Sequence, residues 1–381
     1  MHKRLICVIG GGIGGLVFAA LHRANGGEIL VLERENIDAA EEDGKSVVVN
    51  AASAALLRKA GVNLEDAAPL SCARIQFQNA PGGATIDGDG ALGFGIAHRA
   101  VRKQLAEIAG DSFRAPVAVL SVKSADAGAR VSYRTADGEE KTVSAAAVVV
   151  ACALPDLPPP FAVREFDYRQ AAISFTAEAR NFPRGLAVES FTRFGIVALV
   201  PRVDKKIGVI LCAESDAAGM LSALPDDALL AKINDCFGGE FALHSAGARF
   251  IYAPKARRVS PLAAENIAMS GAGATILHPA GAQGLNLGIA DAACLSELLH
   301  RRGDSGDSIA AAFAAYRRRR TPAHRATLAA TSILAAGGHL RFAPFRLAGG
   351  AATAVLSAAA FPFRKSLSAL LSGERNPQKT E

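Results

Sequence analysis

The chain has 381 residues, half of them hydrophobic and a fifth charged, which excludes wholesale disorder and provides a core for two or three domains. Lysine and arginine number 42 against 36 acidic residues, and this net +6 is too dispersed for a nucleic-acid reader yet compatible with an anionic membrane surface. The six cysteines are scattered without a CxxC pair and no histidines cluster at ligand spacing, so neither a disulfide framework nor a metal is expected, and a reducing compartment is.

Leu5 to Ile9 is a short continuous apolar run, the pattern of a buried parallel strand. Five glycines (Gly10, Gly11, Gly12, Gly14, Gly15) follow, then an apolar helical stretch from Leu16 to Arg23, a break at Gly26-Gly27, and a second strand from Glu28 to Leu32. This is a βαβ unit. His2, Lys3 and Arg4 ahead of an apolar stretch imitate a secretory signal, but the glycines are poor for its helix, so export is not expected. Ser53 to Ala60 and His98 to Ile108 read as helices, and Val131 to Arg134 and Thr142 to Ala151 as strands around the Ala136-Asp137-Gly138 turn. Four prolines between Leu154 and Pro160 mark a crossover between domains. From about residue 166 to 255 short alternating runs (Ala171 to Thr176, Ile196 to Val200, Ile207 to Cys212) predict an antiparallel sheet with one covered face. Asn266 to Ser270 is again a strand, followed by a second glycine-rich loop and a helix from Leu287 to His300. The alanine-rich tail from Ile309 is helical, split by Pro322, Pro344 and Pro362, and no apolar run reaches the ~18 residues of a membrane span.

Gly10-x-Gly12-x-x-Gly15 lies between a strand and a helix, where the three glycines serve in turn a tight turn, close approach of the backbone to a pyrophosphate, and close helix–strand packing. Glu33 closes the second strand 18 residues after Gly15, where its carboxylate accepts ribose hydroxyls and repels a 2′-phosphate. The motif predicts a dinucleotide and does not by itself choose between FAD and NAD.

The segment from Leu277 to Asp291 (LHPAGAQGLNLGIAD) resembles the flavin-contacting loop and helix of the FAD-dependent aromatic hydroxylases, nearest the branch that hydroxylates ubiquinone precursors. Other segments agree in order: Asp43-Gly44-Lys45 with Ser53, Leu92-Gly93-Phe94 with His98-Arg99, Asp167 to Ala172, and Ala187 to Thr192 with Ala198 to Pro201. The resemblance runs from residue 5 to about 300. It implies an α/β fold: a Rossmann-type FAD-binding domain (1–72, 96–155 and 263–305), an inserted antiparallel-sheet substrate domain (73–95 and 156–262), and a helical C-terminal region (306–381). It implies FAD held by Gly10, Gly12, Ile13, Gly14, Gly15, Glu33, Arg34, Lys45, Arg99, Gly271, Ala272, Gln283, Gly284, Leu285 and Asn286, with NAD(P)H as electron donor. The activity it implies is hydroxylation of a phenolic ring, a prenylated ubiquinone precursor, by O2 through the flavin C4a-hydroperoxide. Pro279 would lie near the flavin's reactive edge. Asn286 and Leu285 would aim N–H groups and a positive helix end at the flavin ring. His278 reads as an orienting group before Pro279, with a general-base role as the alternative.

Four positions depart from the family pattern. Lys45 stands where arginine is usual, and Gly271-Ala272 replaces a Gly-Asp or Gly-Asn that holds the ribityl chain. Ala151-Cys152-Ala153 replaces the Ala-Asp-Gly linked to FAD and pyridine nucleotide, and Ala282 replaces a glycine. Two lost hydrogen bonds at ~0.5–1.5 kcal/mol each leave tight FAD binding intact. Cys152 reads as an inert buried thiol rather than a redox group, and Arg317 to Arg320 as a solvated helix end or a membrane-facing cluster. Two rival functions stay open: hydroxylation of another aromatic compound, and a catalytically degenerate flavoprotein-like subunit for binding or assembly, with other ubiquinone-biosynthesis proteins as partners. Leu347 to Phe361 is apolar, 15 residues long and flanked by Arg341, Arg346, Arg364 and Lys365. It reads either as a helix packed on the FAD domain or as an interfacial segment, which would make a cytoplasmic protein peripheral at the inner face of the membrane.

Overall fold

The computed structural model describes residues 5–37, 46–79, 83–87, 91–125, 128–202, 205–305 and 308–337. At its centre is a six-stranded sheet in the order Ala263–Ala264, Ile267–Met269, Ala147–Val150, Ile6–Ile9, Ile29–Leu32, Phe113–Arg114, parallel except at the first pair. Ile6 pairs with Ile29 on one side and Ala147 on the other, so the chain leaves the first strand at the point where strand order reverses. That crevice is where doubly wound sheets bind ligands. The strands are buried on both faces because the helix Ile13–Ala24 covers one of them, which explains their unbroken apolar runs. The helix Gly284–Ser305 packs against Ile13–Ala24.

The stretch expected as one strand from Thr142 to Ala151 is two. Glu140–Ala145 belongs to a three-stranded meander with Gly128–Thr135 and Val117–Ala125, and Ala147–Val150 belongs to the central sheet. The chain changes sheets at Ala146, whose N–H bonds the carbonyl of Leu5. No turn residue marks that step, so the periodicity runs straight through it.

The second large unit is an eight-stranded sheet containing Gln170–Arg180, Lys206–Glu214, Gly195–Pro201, Leu186–Thr192, Cys72–Phe77 and Gly83–Asp87, with Ala242–Ala246 and Phe250–Tyr252 both on Gln170–Arg180. It is antiparallel except where Leu186–Thr192 runs parallel to Cys72–Phe77. Helices Ser215–Ser222 and Asp226–Cys236 cover one face and bury Ile173, Phe175, Val188, Val197 and Leu211. The opposite face looks toward the 277–284 loop. A small sheet of Ser46–Asn50, Gly93–Ala97 and Ala68–Leu70 lies between the two units, so Leu92 to Phe94 leads into a strand that ends where the helix His98–Ala109 begins.

The expected split at Pro322 does not occur: one helix runs from Ile309 to Gly337. Proline there removes a backbone donor, normally a loss of about 3 kcal/mol. Contacts on both sides outweigh it, since Phe313 and Tyr316 before it and His324, Thr331 and Ala335 after it are all buried. Among the described residues no helix is long and apolar enough to cross a membrane. Pro344, Pro362 and the Leu347 to Phe361 segment lie outside the described residues.

Candidate active site

The glycine loop is shaped by close approach. Gly10 has φ +108°, which L side chains rarely adopt, and a Cβ there would fall 2.8 Å from Cβ of Cys152. A Cβ on Gly15 would fall 2.1 Å from the carbonyl oxygen of Gly10, so only glycine lets helix and strand meet. A Cβ on Gly12, by contrast, would meet nothing within 4 Å, so the loop faces open space there. Leu16 makes the first intrahelical bond, to Gly12 O, which leaves the N–H groups of Ile13, Gly14 and Gly15 as the unpaired donors of a helix N-terminus. The Ile13 side chain is core, 2% exposed, so only its backbone is available to a ligand.

Glu33 is buried at the end of the second strand. Its Oε2 accepts the Gly11 N–H at 2.5 Å and its Oε1 the Glu35 N–H at 2.7 Å. Arg102, which sequence reasoning missed, lies 3.4 Å from Oε1 and donates to Gly11 O at 2.8 Å, so it braces carboxylate and loop together. Arg34 is exposed beside the crevice, and Arg99 is half-buried on the first turn of the next helix. Lys45 lies outside the described residues. Cys152 packs under Gly10, and burial pushes its thiol up to about 11, as an inert thiol requires.

The second loop is built around Gly271, Asp291 and Asn286. Gly271 and Gly288 are in contact, a Cβ on Gly288 falling 3.1 Å from Cα of Gly271. Ala272 is exposed. The N–H of Gly271 is held at 2.9 Å by Asp291, which is fully buried and also accepts Arg320 Nε at 2.7 Å and His324 Nε2 at 3.0 Å. Burial alone would push this carboxyl up, but His324 and Arg320 more than reverse that and hold it below its ordinary value. Arg320 is therefore an internal partner of the loop and not part of a solvated or membrane-facing helix end. The spacing gives no hint of it, because it is the tertiary fold that turns this one arginine of four inward.

Asn286 is buried and its side chain is fully used: Oδ1 accepts the Asn50 N–H at 2.9 Å, and Nδ2 donates to Val48 O and Ala282 O at 3.1 and 3.0 Å. It clamps the loop to the small sheet. What it and Leu285 and Gly284 can offer a ligand is their first-turn N–H groups. Gln283 Nε2 bonds Gly281 O at 2.9 Å. Ala282 has φ +50°, a left-handed conformation in which a Cβ costs about 1 kcal/mol, as expected where the family has glycine.

His278 is 1% exposed, and both its ring nitrogens are engaged. Nδ1 accepts the Ala280 N–H at 3.1 Å, so Nε2 carries the proton and donates to Gln170 Oε1 at 2.6 Å. The Tyr168 ring meets it edge-on with centroids 5.0 Å apart. This geometry orients the loop and leaves no lone pair for a substrate proton. Pro279 is half-buried at the loop's start.

Sheet register lines up what faces this loop. Ile75, Glu189, Ala198, Ile210, Ser174 and Phe250 form one cross-strand row, and Phe77, Phe191, Ile196, Cys212, Ala172 and Tyr252 the next. Phe191, Ile196, Cys212 and Ala172 form a cluster with Ala280 of the loop. The face is thus mostly apolar, with Phe77 and Phe191 toward one side and Phe250 and Tyr252 at the other. Glu189, visible in the sequence only as part of a strand motif, is its carboxylate.

The donor set fits FAD: an anion-binding helix N-terminus with no side chain over Gly12, an acidic residue at the end of the second strand, and a second helix N-terminus at Gly284. The sequence matches the FAD binding domain family over residues 4–331. It is 27% identical over 312 residues, covering 77% of this chain and 72% of the relative, to the ubiquinone hydroxylase UbiL of Rhodospirillum rubrum. An uncharacterised protein of Synechocystis is 25% identical over 326 residues, 80% of this chain and 78% of its own. Among solved structures, p-nitrophenol 4-monooxygenase PnpA from Pseudomonas putida superposes with a TM-score of 0.76 at 15% identity, covering 97% of this chain and 98% of that one. The anhydrotetracycline hydroxylase OxyS from Streptomyces rimosus gives 0.72 at 20% identity, covering 99% and 78%. The chain belongs to the FAD binding domain family.

Proposed function

We propose that the protein is an FAD-dependent monooxygenase that hydroxylates a phenolic ring, and that its substrate is a prenylated ubiquinone precursor. The observation that carries the reading is the apolar, aromatic-flanked sheet face packed against the 277–284 loop. Such a face suits an aromatic ring held out of water.

FAD would be held by the N–H groups of Ile13, Gly14 and Gly15 at its pyrophosphate, by Glu33 at its ribose, and by the N–H groups of Gly284, Leu285 and Asn286 at its ring. When bound it supplies the redox and oxygen-transfer chemistry with O2. This chain's residues do the rest. The helix N-termini stabilise negative charge, His278 and Asn286 fix the loop, and the sheet face excludes water. The reading takes NAD(P)H as electron donor, although Ala151-Cys152-Ala153 presents no carboxylate to it. The relative from Rhodospirillum rubrum is a ubiquinone hydroxylase by name, which supports the choice of substrate.

The purified protein should be yellow, or become so on adding FAD, and should consume NAD(P)H faster with a phenol present. In a deletion strain, mass spectrometry of quinone intermediates should show a species one hydroxyl short. A colourless protein that takes up no FAD would support the degenerate subunit instead, and an unchanged quinone profile would move the substrate to another aromatic class. A peripheral membrane position belongs to the same reading, since a long-chain substrate resides in the bilayer. Co-sedimentation with anionic liposomes that weakens with salt tests it.

A further inference from the structure

We propose that Glu189 is the substrate-contacting acceptor of this site: its carboxylate receives the phenolic O–H of the ring. The proposal rests on the aromatic-hydroxylase reading and adds to it the residue that selects a free phenol.

Three observations place Glu189 there. It lies on the sheet face that looks at the flavin loop, between Ile75 and Ala198 and one pair away from Phe191. Its Oε2 accepts the N–H of Gly281, within the loop, at 3.1 Å. Its Oε1 is buried and has no hydrogen-bond partner. A buried carboxylate oxygen left without a donor is costly, and native proteins keep such atoms where a ligand completes them. A phenol O–H is the donor that an otherwise apolar, aromatic-flanked face would accept.

The titratable groups facing Glu189 are Cys212 and, beyond it, Tyr252 on the sheet, with His278 on the loop side. Burial and the Glu189 charge push the Cys212 thiol up, burial and Cys212 raise Tyr252, and both His278 nitrogens are engaged. Burial pushes Glu189 itself up to about 7, so its proton-accepting form fills in across the neutral range. In the step proposed, the phenolic O–H bond breaks as the Glu189 O–H bond forms. The electron pair stays on the phenolic oxygen, where it enriches the ring, and no electron is transferred. The proton then leaves to solvent.

The test uses the FAD-loaded full chain and two probes, a 4-alkylphenol and the methyl ether of the same compound, titrated by flavin difference absorbance between about pH 5 and 9. Wild type should bind the phenol about tenfold more tightly above pH 7 than below it, while the ether shows no step. Glu189→Gln should bind the phenol at the weaker level at every pH and leave the ether unchanged, with FAD content as in wild type. A purely structural role for Glu189 would weaken phenol and ether alike, and that result overturns the proposal. If Glu189→Gln does not fold, the wild-type comparison still decides, since a phenol without a pH step beyond that of its ether refutes the assignment. Absence of any aromatic binding to FAD-loaded wild type would overturn the aromatic-hydroxylase reading together with it, whereas phenol binding indifferent to Glu189 overturns this proposal alone.

Discussion

Asp291→Asn perturbs the most heavily connected buried charge near the flavin loop. In the wild type one carboxylate holds the Gly271 N–H, the Arg320 guanidinium and the His324 ring, with side-chain exposures of 0% for Asp291, 16% for Arg320 and 2% for His324. The amide keeps the shape but loses the charge and one acceptor, stranding a buried cation, which typically costs about 3–5 kcal/mol. At roughly 2–4 °C per kcal/mol for a chain this large, thermal unfolding followed by circular dichroism should drop by about 10 °C. Arg320→Met combined with Asp291→Asn should cost less than the sum of the two, because the stranded cation is gone. The sign with pH follows from the depressed carboxyl. The stability Asp291 provides is complete above its ordinary 3.8 and is lost as pH falls through the lower folded value, so the variant should lack that part of the acid sensitivity. A melting temperature within a degree or two of wild type, or full additivity of the double variant, would refute the network's role. FAD affinity measured alongside should fall, since Gly271 loses its anchor.

Glu33→Ala should weaken FAD by about 1.5–3 kcal/mol, the loss of a charge-assisted hydrogen bond, and unchanged affinity on titration would mean that the ribose sits elsewhere. Ala272→Asp should tighten FAD, since Ala272 is exposed beside the loop; a lower melting temperature without better FAD retention would show a loop arranged unlike the family's. Glu189→Gln should stabilise the FAD-free protein at pH 8 by up to about 3 kcal/mol. Its carboxyl is raised from 4.5 to about 7, so the wild type loses stability as pH rises between those values, and the melts of wild type and variant should differ above that range and converge at pH 4. Ala282→Gly should relieve the left-handed conformation and leave stability equal or higher by about 1 kcal/mol; a clear loss would mean that Ala282 packs usefully.

The nucleotide half of the site is legible in the sequence because its constraints are local. Gly10, Gly15 and Glu33 act through the geometry of one βαβ unit, and a single stretch of sequence contains all of it. The segment 277–291 is legible through its resemblance, but the roles of its side chains are not. His278 bonds a strand residue more than a hundred positions away, and Asn286 bonds one 236 positions away. Arg102, Arg320 and His324 look in sequence like ordinary surface residues of helices. Only packing shows which turn of each helix faces inward. Glu189 is hidden for a related reason: alternation tells which residues share a face, and pairing across five strands is needed to tell what that face meets.

The helix Ile309–Gly337 carries a consequence for how the protein comes to hold its cofactor. Tyr316 bonds the carbonyl of Met269, His324 bonds Thr275 and Asp291, and Ala335 O receives Gln170, the partner of His278. The glycine cradle draws on residues up to Cys152, whereas the flavin loop is braced by Asn50, Gln170 and Glu189 and, in addition, by residues of the helix Ile309–Gly337. A nascent chain can bring the dinucleotide half together before the helix Ile309–Gly337 emerges, but it acquires a finished flavin pocket only when that helix has docked, so loading of FAD is tied to that docking step.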